Sequence, residues 1–179
     1  MTDRSTLSTP SRASTSTPPS LVIPVTGAVG SGPTEIAAFD NALANAGISN
    51  LNLIRLSSVI PTGARVEVSI DDRPRHIGGE WGDRHYVVYA DARAVEPGQV
   101  AAACVGWVQN PDTGAGLFVE VEGDDESRVR SDVMASLDAM ARTRDIDLGP
   151  STLLSRSIRC VDEPVCALVV ASFTTEGWV

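Results

Sequence analysis

The sequence predicts an α+β fold in which helices and strands stack as the layers of one sandwich. Two segments, 35–46 and 125–144, carry apolar residues at helical spacing, and several shorter apolar segments are typical of strands. The order along the chain is strand, helix, several strands, helix and two strands. This order favours a layered sandwich over a doubly wound sheet. The length of 179 residues fits one domain of ordinary size.

The first predicted strand and helix occupy the start of this domain. Segment 21–29 is apolar, is interrupted by Pro24 and leads into a Gly-Ser-Gly turn, as expected of a strand and its turn. Thr34 is a suitable N-cap for the helix, and Gly47 supplies its C-terminal stop. The apolar stripe predicted for this helix consists of Ile36, Phe39, Leu43 and Ala46.

The remaining predicted strands are apolar segments separated by turn residues. Segment 71–83 is polar and glycine-rich, so it is predicted to be a loop. Within 117–122, apolar side chains on one face alternate with Phe118, Glu120 and Glu122 on the other. We predict strands at 50–58, 66–70, 86–90, 100–109, 117–122, 152–161 and 165–173.

The second predicted helix follows Asp124 or Asp125, either of which can cap its N-terminus. The helix frays near Arg144. Its apolar stripe, which should face a sheet, consists of Val129, Val133, Leu137 and Met140.

The composition argues against several classes of function. The chain has 23 acidic and 14 basic residues and a formal charge of -9, with no basic stripe to neutralise the phosphates of a nucleic acid. No apolar run approaches the roughly 20 residues of a membrane span. Pro24 follows the short apolar run 21–23 at once, so the sequence predicts no signal-peptide h-region there. The cytoplasm is therefore the expected compartment. Residues 1–20, rich in Ser, Thr and Pro, are predicted to be a disordered tail before a domain at 21–179.

Neither a disulfide framework nor a metal site is predicted. Cys104, Cys160 and Cys166 are odd in number and widely spaced, which favours buried free thiols. His76 and His85 flank a loop rich in Gly and Trp, and no nearby carboxylate pattern suggests metal ligands.

The segment most suggestive of chemistry is the serine pair at 57–58, which ends an apolar stretch and precedes Pro61. If Ser58 attacked the carbonyl of Ser57, the peptide would become an ester, and elimination would leave Ser58 as a pyruvoyl group at a new N-terminus. Such cleavage needs an oxyanion donor and local backbone strain. If segment 50–58 is one extended strand, Asn52 and Ser58 share a face, which makes Asn52 a candidate polar partner.

A pyruvoyl ketone would give the chain an electrophile of its own. It could form a Schiff base with a substrate amine and withdraw electrons as carbon dioxide leaves. A general acid must then return a proton, and Glu120 or Glu122 could do so if partly buried. Each residue also has an ordinary explanation: serine pairs are common at strand ends, a Val-Glu-Val-Glu strand is often half solvated, and Asp40 on a helix is often a solvated position. The residues alone leave these alternatives open.

Two stretches of the sequence resemble the pyruvoyl-dependent arginine decarboxylases. Residues 38–61, AFDNALANAGISNLNLIRLSSVIP, are similar to a family block ending in N-L-I-x-x-S-S-I-x-P, which carries the processing site. Residues 116–123, GLFVEVEG, are similar to the strand that bears the family's catalytic glutamate. The resemblance runs from about residue 21 to residue 173 and leaves the Ser/Thr/Pro tail outside.

The resemblance implies roles in self-processing and catalysis. Cleavage between Ser57 and Ser58 would leave Ser57 at the end of a small β chain and convert Ser58 into the pyruvoyl cofactor of the α chain. Glu120 would be the proton donor. Asn52 would help processing and substrate positioning.

The resemblance also implies a substrate and an assembly. L-Arginine would be converted to agmatine and carbon dioxide, with Asp40 binding the guanidinium in a bidentate way. Leu43 and Val59 would form apolar walls for the methylene stem. The family fold is a four-layer α/β/β/α sandwich, assembled as a trimer of processed αβ units with active sites between subunits.

Some positions depart from the family pattern and leave two alternatives open. Asn41 and Ser49 stand where glycine is common in the family block, and segments 71–83 and 91–97 look divergent. The alternatives are the same pyruvoyl chemistry on a different amino acid, and an unprocessed, non-catalytic homologue acting as a binding subunit. The second alternative is disfavoured because a non-catalytic copy is free to lose the residues of the site, and this chain keeps Ser57, Ser58, Asn52 and Glu120.

Overall fold

The computed structural model describes residues 20–69, 77–144 and 147–178. Two β-sheets pack face to face, and one helix covers the outer face of each. The layers therefore follow the order helix, sheet, sheet, helix. This arrangement confirms the predicted α+β class and the four-layer sandwich.

The elements of the described residues alternate as predicted, with two helices among the strands. In chain order they are β1 (Leu21–Ser31), α1 (Glu35–Ala46), β2 (Asn52–Arg55), β3 (Val59–Ile60), β4 (Ala64–Val68), β5 (Arg84–Ala94), β6 (Val100–Gln109), β7 (Gly116–Gly123), α2 (Glu126–Ala141), β8 (Thr152–Arg159) and β9 (Val165–Glu176).

The two sheets differ in how their strands pair. The first sheet has the order β2-β5-β9-β1-β4, with antiparallel pairing in its centre and a parallel strand at each edge. The second sheet, β3-β7-β6-β8, is antiparallel throughout. Strands β2 and β3 follow one another in the chain but lie at the edges of different sheets. The chain between them therefore crosses from one sheet to the other.

Helix α1 begins and ends where the sequence predicts. The side chain of Thr34 accepts a hydrogen bond from the backbone N–H of Ala37, and Gly47 ends the helix in the left-handed conformation with φ of 80°. The helix lies very close to β1, since a Cβ atom on Gly30 would stand 2.3 Å from the backbone nitrogen of Ala42. Glycine at position 30 permits this close approach.

The N-cap of helix α2 is Asp125, one of the two residues predicted for this position. The side chain of Asp125, not Asp124, accepts a hydrogen bond from the backbone N–H of Arg128. The helix ends at Ala141, earlier than the predicted fraying point at Arg144. Its buried stripe matches the prediction, with Val129, Val133 and Leu137 facing the second sheet and Met140 partly buried.

The central apolar layer lies between the two sheets. Phe118 on β7 is fully buried there and contacts the rings of Trp107 and Phe173. Side chains alternate along a strand, so Glu120 lies on the same inward face of β7 as Phe118. The fold thus directs a carboxylate toward the space between the sheets.

Several predicted strand bounds are wrong. Segment 50–58 is not one strand: β2 ends at Arg55, and pairing resumes only at Val59 in the other sheet. The apolar pattern is continuous, but a chain that changes sheets cannot continue the same ladder of hydrogen bonds. β4 begins at Ala64, earlier than predicted, and Ile70 lies outside the described residues. β5 extends beyond its predicted bounds at both ends, and β9 extends beyond its predicted C-terminal end.

The predicted stripe of α1 is wrong at one position. Ile36 is 67% exposed, while Ala38 and Ala42 are completely buried against the first sheet. Small alanine side chains let the helix approach the sheet closely, and this orientation turns Ile36 outward. Leu43 and Ala46 are buried as predicted.

The structure also tests the predictions for the three cysteines. Cys104, Cys160 and Cys166 are buried free thiols, as predicted. His85 is fully buried, whereas His76 and residues 1–19 of the predicted tail lie outside the described residues. Within the described ranges, no helix is long and apolar enough to cross a membrane. The same ranges contain no cluster of three or more His, Cys, Asp or Glu side chains suited to a metal ion.

Candidate active site

The serine pair lies where the chain passes from one sheet to the other. On one side, the backbone N–H of Leu56 donates to the carbonyl of Val87 in the first sheet, at 2.8 Å. On the other, the carbonyl of Ser58 accepts from the backbone N–H of Phe118 in the second sheet, also at 2.8 Å. Only Ser57 lies between the two attached residues, Leu56 and Ser58. The crossing segment is therefore short and held at both ends.

Ser58 has a strained backbone. Its φ of 66° is left-handed, and among the described residues it is the one non-glycine residue with positive φ. This conformation costs an L-residue with a Cβ atom about 1–2 kcal/mol. Pairing of Val59 with Leu117 in β7 holds the next residue in the second sheet. Strain of this kind is found at sites where the surrounding structure enforces it.

The hydroxyl of Ser58 is bonded to a carboxylate. Ser58 Oγ donates to Oε1 of Glu120 at 2.5 Å, which is a short hydrogen bond. Glu120 is half-buried on the inward face of β7, two residues from the strand position that binds the Ser58 carbonyl. One strand therefore fixes both the backbone of Ser58 and the acceptor for its hydroxyl proton.

Asn52 is hydrogen-bonded to a different partner. Its Nδ2 donates to the carbonyl of Gly82 at 2.5 Å, and Trp178 Nε1 donates to the same oxygen at 2.8 Å. The prediction that Asn52 and Ser58 share one strand face is wrong, because the strand ends at Arg55 and Ser58 is left-handed. Asn52 is exposed, so its amide oxygen is available to a ligand.

The three residues assigned to substrate binding lie in different environments. Asp40 is on the exposed face of α1 and forms no ion pair within the described part of the chain. Leu43 is only 8% exposed and packs between α1 and the first sheet. Val59 is 59% exposed directly after Ser58. Asp40 and Leu43 are three residues apart on α1, whereas Val59 lies on β3 of the second sheet.

Sequence reasoning missed the groups that hold the site residues in place. These are the backbone of Phe118, the carbonyl of Gly82 and the indole of Trp178. Backbone donors carry no sequence signal, since every residue except proline supplies one. Trp178 is far from Asn52 in sequence, so only the folded chain shows that they share a partner.

Comparisons with known proteins agree on one family. The family model for pyruvoyl-dependent arginine decarboxylase matches residues 22–177. The chain is 37% identical over 150 residues to the pyruvoyl-dependent arginine decarboxylase of Halobacterium salinarum, covering 80% of this chain and 88% of the relative. It is 33% identical over 148 residues to the protein of the same name from Thermococcus kodakarensis, covering 80% and 88%. For the one from Pyrococcus abyssi the values are 34% over 146 residues, 79% and 87%.

Proposed function

We propose, for a chain that belongs to the pyruvoyl-dependent arginine decarboxylase family, that it cleaves itself before Ser58 and then converts L-arginine to agmatine and carbon dioxide. Family membership supports the decarboxylase activity and its covalent pyruvoyl cofactor. The observation that carries the proposal is the contact between the strained Ser58 and Glu120. This contact supplies a nucleophile and an acceptor for its proton at the expected cleavage site.

Self-cleavage begins with the hydroxyl of Ser58. Glu120 takes the Oγ proton as Oγ attacks the carbonyl carbon of Ser57, and the C–N bond breaks as its nitrogen is protonated. The products of this step are an ester between Ser57 and Ser58 Oγ, and a free amine on Ser58. Loss of the Ser58 Cα proton then breaks the Cβ–Oγ bond and releases Ser57 as a carboxylate. The remaining dehydroalanine rearranges to an imine, and water replaces its nitrogen, leaving the pyruvoyl group and ammonia.

The strain at Ser58 favours the first of these steps. The left-handed conformation raises the free energy of the uncleaved chain, and breaking the preceding peptide bond releases that strain. Residue 58 remains attached through its carbonyl, which accepts from Phe118. The new N-terminus would therefore stay beside Glu120 after cleavage.

The same carboxylate serves the decarboxylation. The pyruvoyl ketone, once formed, acts as the electron sink for loss of carbon dioxide from a bound amino acid. Glu120 lies beside position 58, so it is suitably placed to return a proton to the carbon that lost the carboxyl group. Asn52 presents its amide oxygen and helps to orient the substrate.

Asp40, Leu43 and Val59 form the proposed substrate pocket. An exposed carboxylate on a helix matches the planar fork of a guanidinium, so Asp40 would select arginine. Val59 would provide an apolar wall next to the reacting centre. The small exposed area of Leu43 limits it to a contact at the edge of that pocket.

We further propose that the pocket forms between subunits of a trimer of αβ units. Two observations support this assembly: Asp40 is exposed on α1 without an ion-pair partner in the described chain, and Ile36, one turn earlier on the same helix, is 67% exposed. A neighbouring subunit that covered this face would bury Ile36. Asp40 would then lie close to Ser58 of that neighbouring subunit. We also propose that residues 21–179 form one domain, which follows a disordered tail. The proposed location is the cytoplasm, and the three free thiols fit such a reducing compartment.

An assay on a panel of amino acids tests the function. Purified protein should release carbon dioxide from L-arginine and form agmatine, with little turnover of L-lysine or L-aspartate. Ser58→Ala should abolish turnover, while Ser127→Ala, the same change at an exposed position of α2, should leave it unchanged. Turnover of another amino acid but not arginine would support the alternative substrate. No turnover of any amino acid by a cleaved, folded protein would overturn the proposal.

A further inference from the structure

Gln109, at the end of β6, forms three hydrogen bonds with two other segments. Its Nε2 donates to the carbonyls of Ala64, at 3.0 Å, and Gly114, at 2.6 Å. Its Oε1 accepts from the backbone N–H of Val66 at 3.1 Å. The side chain is part-buried, so water competes only partly for these bonds. A single amide therefore joins β4 of the first sheet to the β6–β7 hairpin of the second.

The side-chain amide of Gln109 bonds to the edge of β4 in the way that the backbone of a neighbouring strand would. In a strand, the carbonyl of one residue and the N–H of the residue two positions later point to the same side. Ala64 and Val66 are related in this way, and they use one acceptor and one donor of the same side chain. Among the strands that the structure describes, β4 is an edge strand with no backbone partner on this side. Gln109 thus fixes the register of β4 against the second sheet.

The same hairpin holds the chain that leads back to Ser58. In the second sheet Gln109 pairs with Gly116, and Gly116 pairs with Ile60 of β3. The backbone N–H of Gly63 donates to the carbonyl of Thr113 at 2.7 Å. From Ile60 to Val66 the chain is therefore attached repeatedly to one hairpin, and Gln109 supplies the last of these attachments.

These attachments restrict the movement of the segment that contains the strained Ser58. Upstream, Leu56 is bonded to Val87, and downstream Ser58 is bonded to Phe118. Without the Gln109 bonds, β4 would still pair with β1, but β3, which is only two residues long, and the Gly63–Thr113 bond would be the remaining attachments of this segment to the hairpin. Ser58 could then relax from its left-handed conformation and move its hydroxyl away from Glu120.

We propose that Gln109 is a positioning residue for self-cleavage, which holds the chain after Ser58 so that the Ser58 hydroxyl stays on Glu120. This inference rests on the proposed self-processing. Gln109 does not touch the reacting atoms. It acts through the backbone of residues 60–66 and through the hairpin that carries the partner strand β7.

The test measures the rate of cleavage in freshly translated protein, followed by denaturing gel electrophoresis over time. Gln109→Leu keeps the bulk of the side chain and removes all three hydrogen bonds. It should slow cleavage by about tenfold or more, because ångström-scale displacement of reacting groups costs up to about 100-fold in rate. Gln109→Glu keeps the acceptor for Val66 but loses both donated bonds, and should cleave at an intermediate rate. This second variant also provides a result if Gln109→Leu does not fold.

A matched control separates positioning from loss of stability. Val133→Ala removes buried volume beneath α2, away from β4, and should lower the melting temperature without slowing cleavage. Gln109→Leu and Gln109→Glu cleaving at the wild-type rate would overturn the inference. Equal slowing in Val133→Ala at a matched loss of melting temperature would also overturn it. If the wild-type chain never cleaved, the proposed function itself would fail, and that result is distinct from a variant-specific defect.

Discussion

At the scale of single residues, Ser58 combines a strained backbone with a hydrogen-bonded hydroxyl. Its backbone is held in a left-handed conformation that favours glycine, and its hydroxyl is bonded to a half-buried carboxylate. The first raises the energy of the uncleaved chain, and the second provides an acceptor for the proton of the nucleophile. Both depend on β7, which binds Ser58 through Phe118 and Glu120.

Replacement of Asp40 by asparagine tests the proposed recognition of arginine. The change keeps the shape of the side chain but removes the charge that pairs with a guanidinium. We expect KM for arginine to rise about 10- to 100-fold, since hydrogen bonds to charged groups contribute about 1.5–3 kcal/mol. Steady-state kinetics of the processed variant give this value, with a smaller change expected in kcat.

Asp138→Asn is the control for this prediction, because Asp138 is exposed on α2 and has no proposed role. It should leave KM unchanged. An unchanged KM in Asp40→Asn would remove Asp40 from the substrate pocket. Equal loss in both variants would point to overall charge instead of a specific contact.

Prediction from the sequence was most effective where residues have local signals. The cap of α1 at Thr34 and its stop at Gly47 follow from residue type and spacing. The contact between Ser58 and Glu120 could not be predicted in this way, because 62 positions separate the two residues. The positive φ of Ser58 was equally hidden, since it arises from attachments to two different sheets.

At the scale of elements, the packing of α1 on β1 depends on Gly30. A Cβ atom there would stand 2.3 Å from Ala42 N and 2.4 Å from Ala38 O, both backbone atoms that cannot rotate away. We expect Gly30→Ala to destabilise the fold by about 1–3 kcal/mol through overpacking. Chemical denaturation measures this loss. Gly78→Ala, where an added Cβ would meet nothing within 4 Å, should cost far less, and equal costs would contradict the packing argument.

The pairing of β5 with β9 contains a buried histidine that makes stability depend on pH. His85 Nδ1 lies 3.1 Å from the carbonyl of Thr174, which can only accept, so Nδ1 carries the proton and Nε2 accepts from Ser172 Oγ at 3.0 Å. Burial lowers the pKa of His85 below 6.5, and the hydrogen bond to Thr174 only partly opposes this shift. The folded state therefore keeps a neutral imidazole where the unfolded state takes up a proton.

The sign of this effect follows directly. The contribution of neutral His85 to the free energy of unfolding is fully present above its unfolded pKa of 6.5. It falls as the pH decreases below that value, by up to about 1.4 kcal/mol per pH unit. Urea unfolding at several values between about pH 5 and pH 8 measures the slope. His85→Gln cannot take up this proton and should show a flatter profile. Identical slopes in the two proteins would contradict the assignment.

The error at β2 and β3 shows why elements were harder to predict than residues. The apolar run through 50–58 fits one strand by periodicity, yet the structure divides it between two sheets. Periodicity reports burial but not which sheet provides it. The exposed Ile36 has a similar cause, because the close approach at Gly30 favours alanines on the inner face of α1.

At the scale of the whole molecule, the strand order of the sandwich would hold the two fragments of the proposed cleavage together. Strand β1, from fragment 1–57, lies between β9 and β4, which both belong to fragment 58–179. Strand β2 also pairs with β5, which lies on the other side of the proposed cleavage site. The four-layer order was predictable through the resemblance, whereas this interlocking required the observed strand order.

The interlocked strands predict that the fragments stay together after cleavage. Size-exclusion chromatography in native buffer should give one species that contains both fragments, and only denaturant should separate them. Fragments that eluted separately in native buffer would show that the strands of 1–57 are not held as the structure indicates.

The most direct test of the account is the intact mass of the folded, purified protein under denaturing conditions. The account predicts two masses, corresponding to residues 1–57 and to residues 58–179 with a pyruvoyl group in place of Ser58, and a single full-length mass for Ser58→Ala. A wild-type protein that remains one unbroken chain after folding and incubation, with serine retained at position 58, would contradict it.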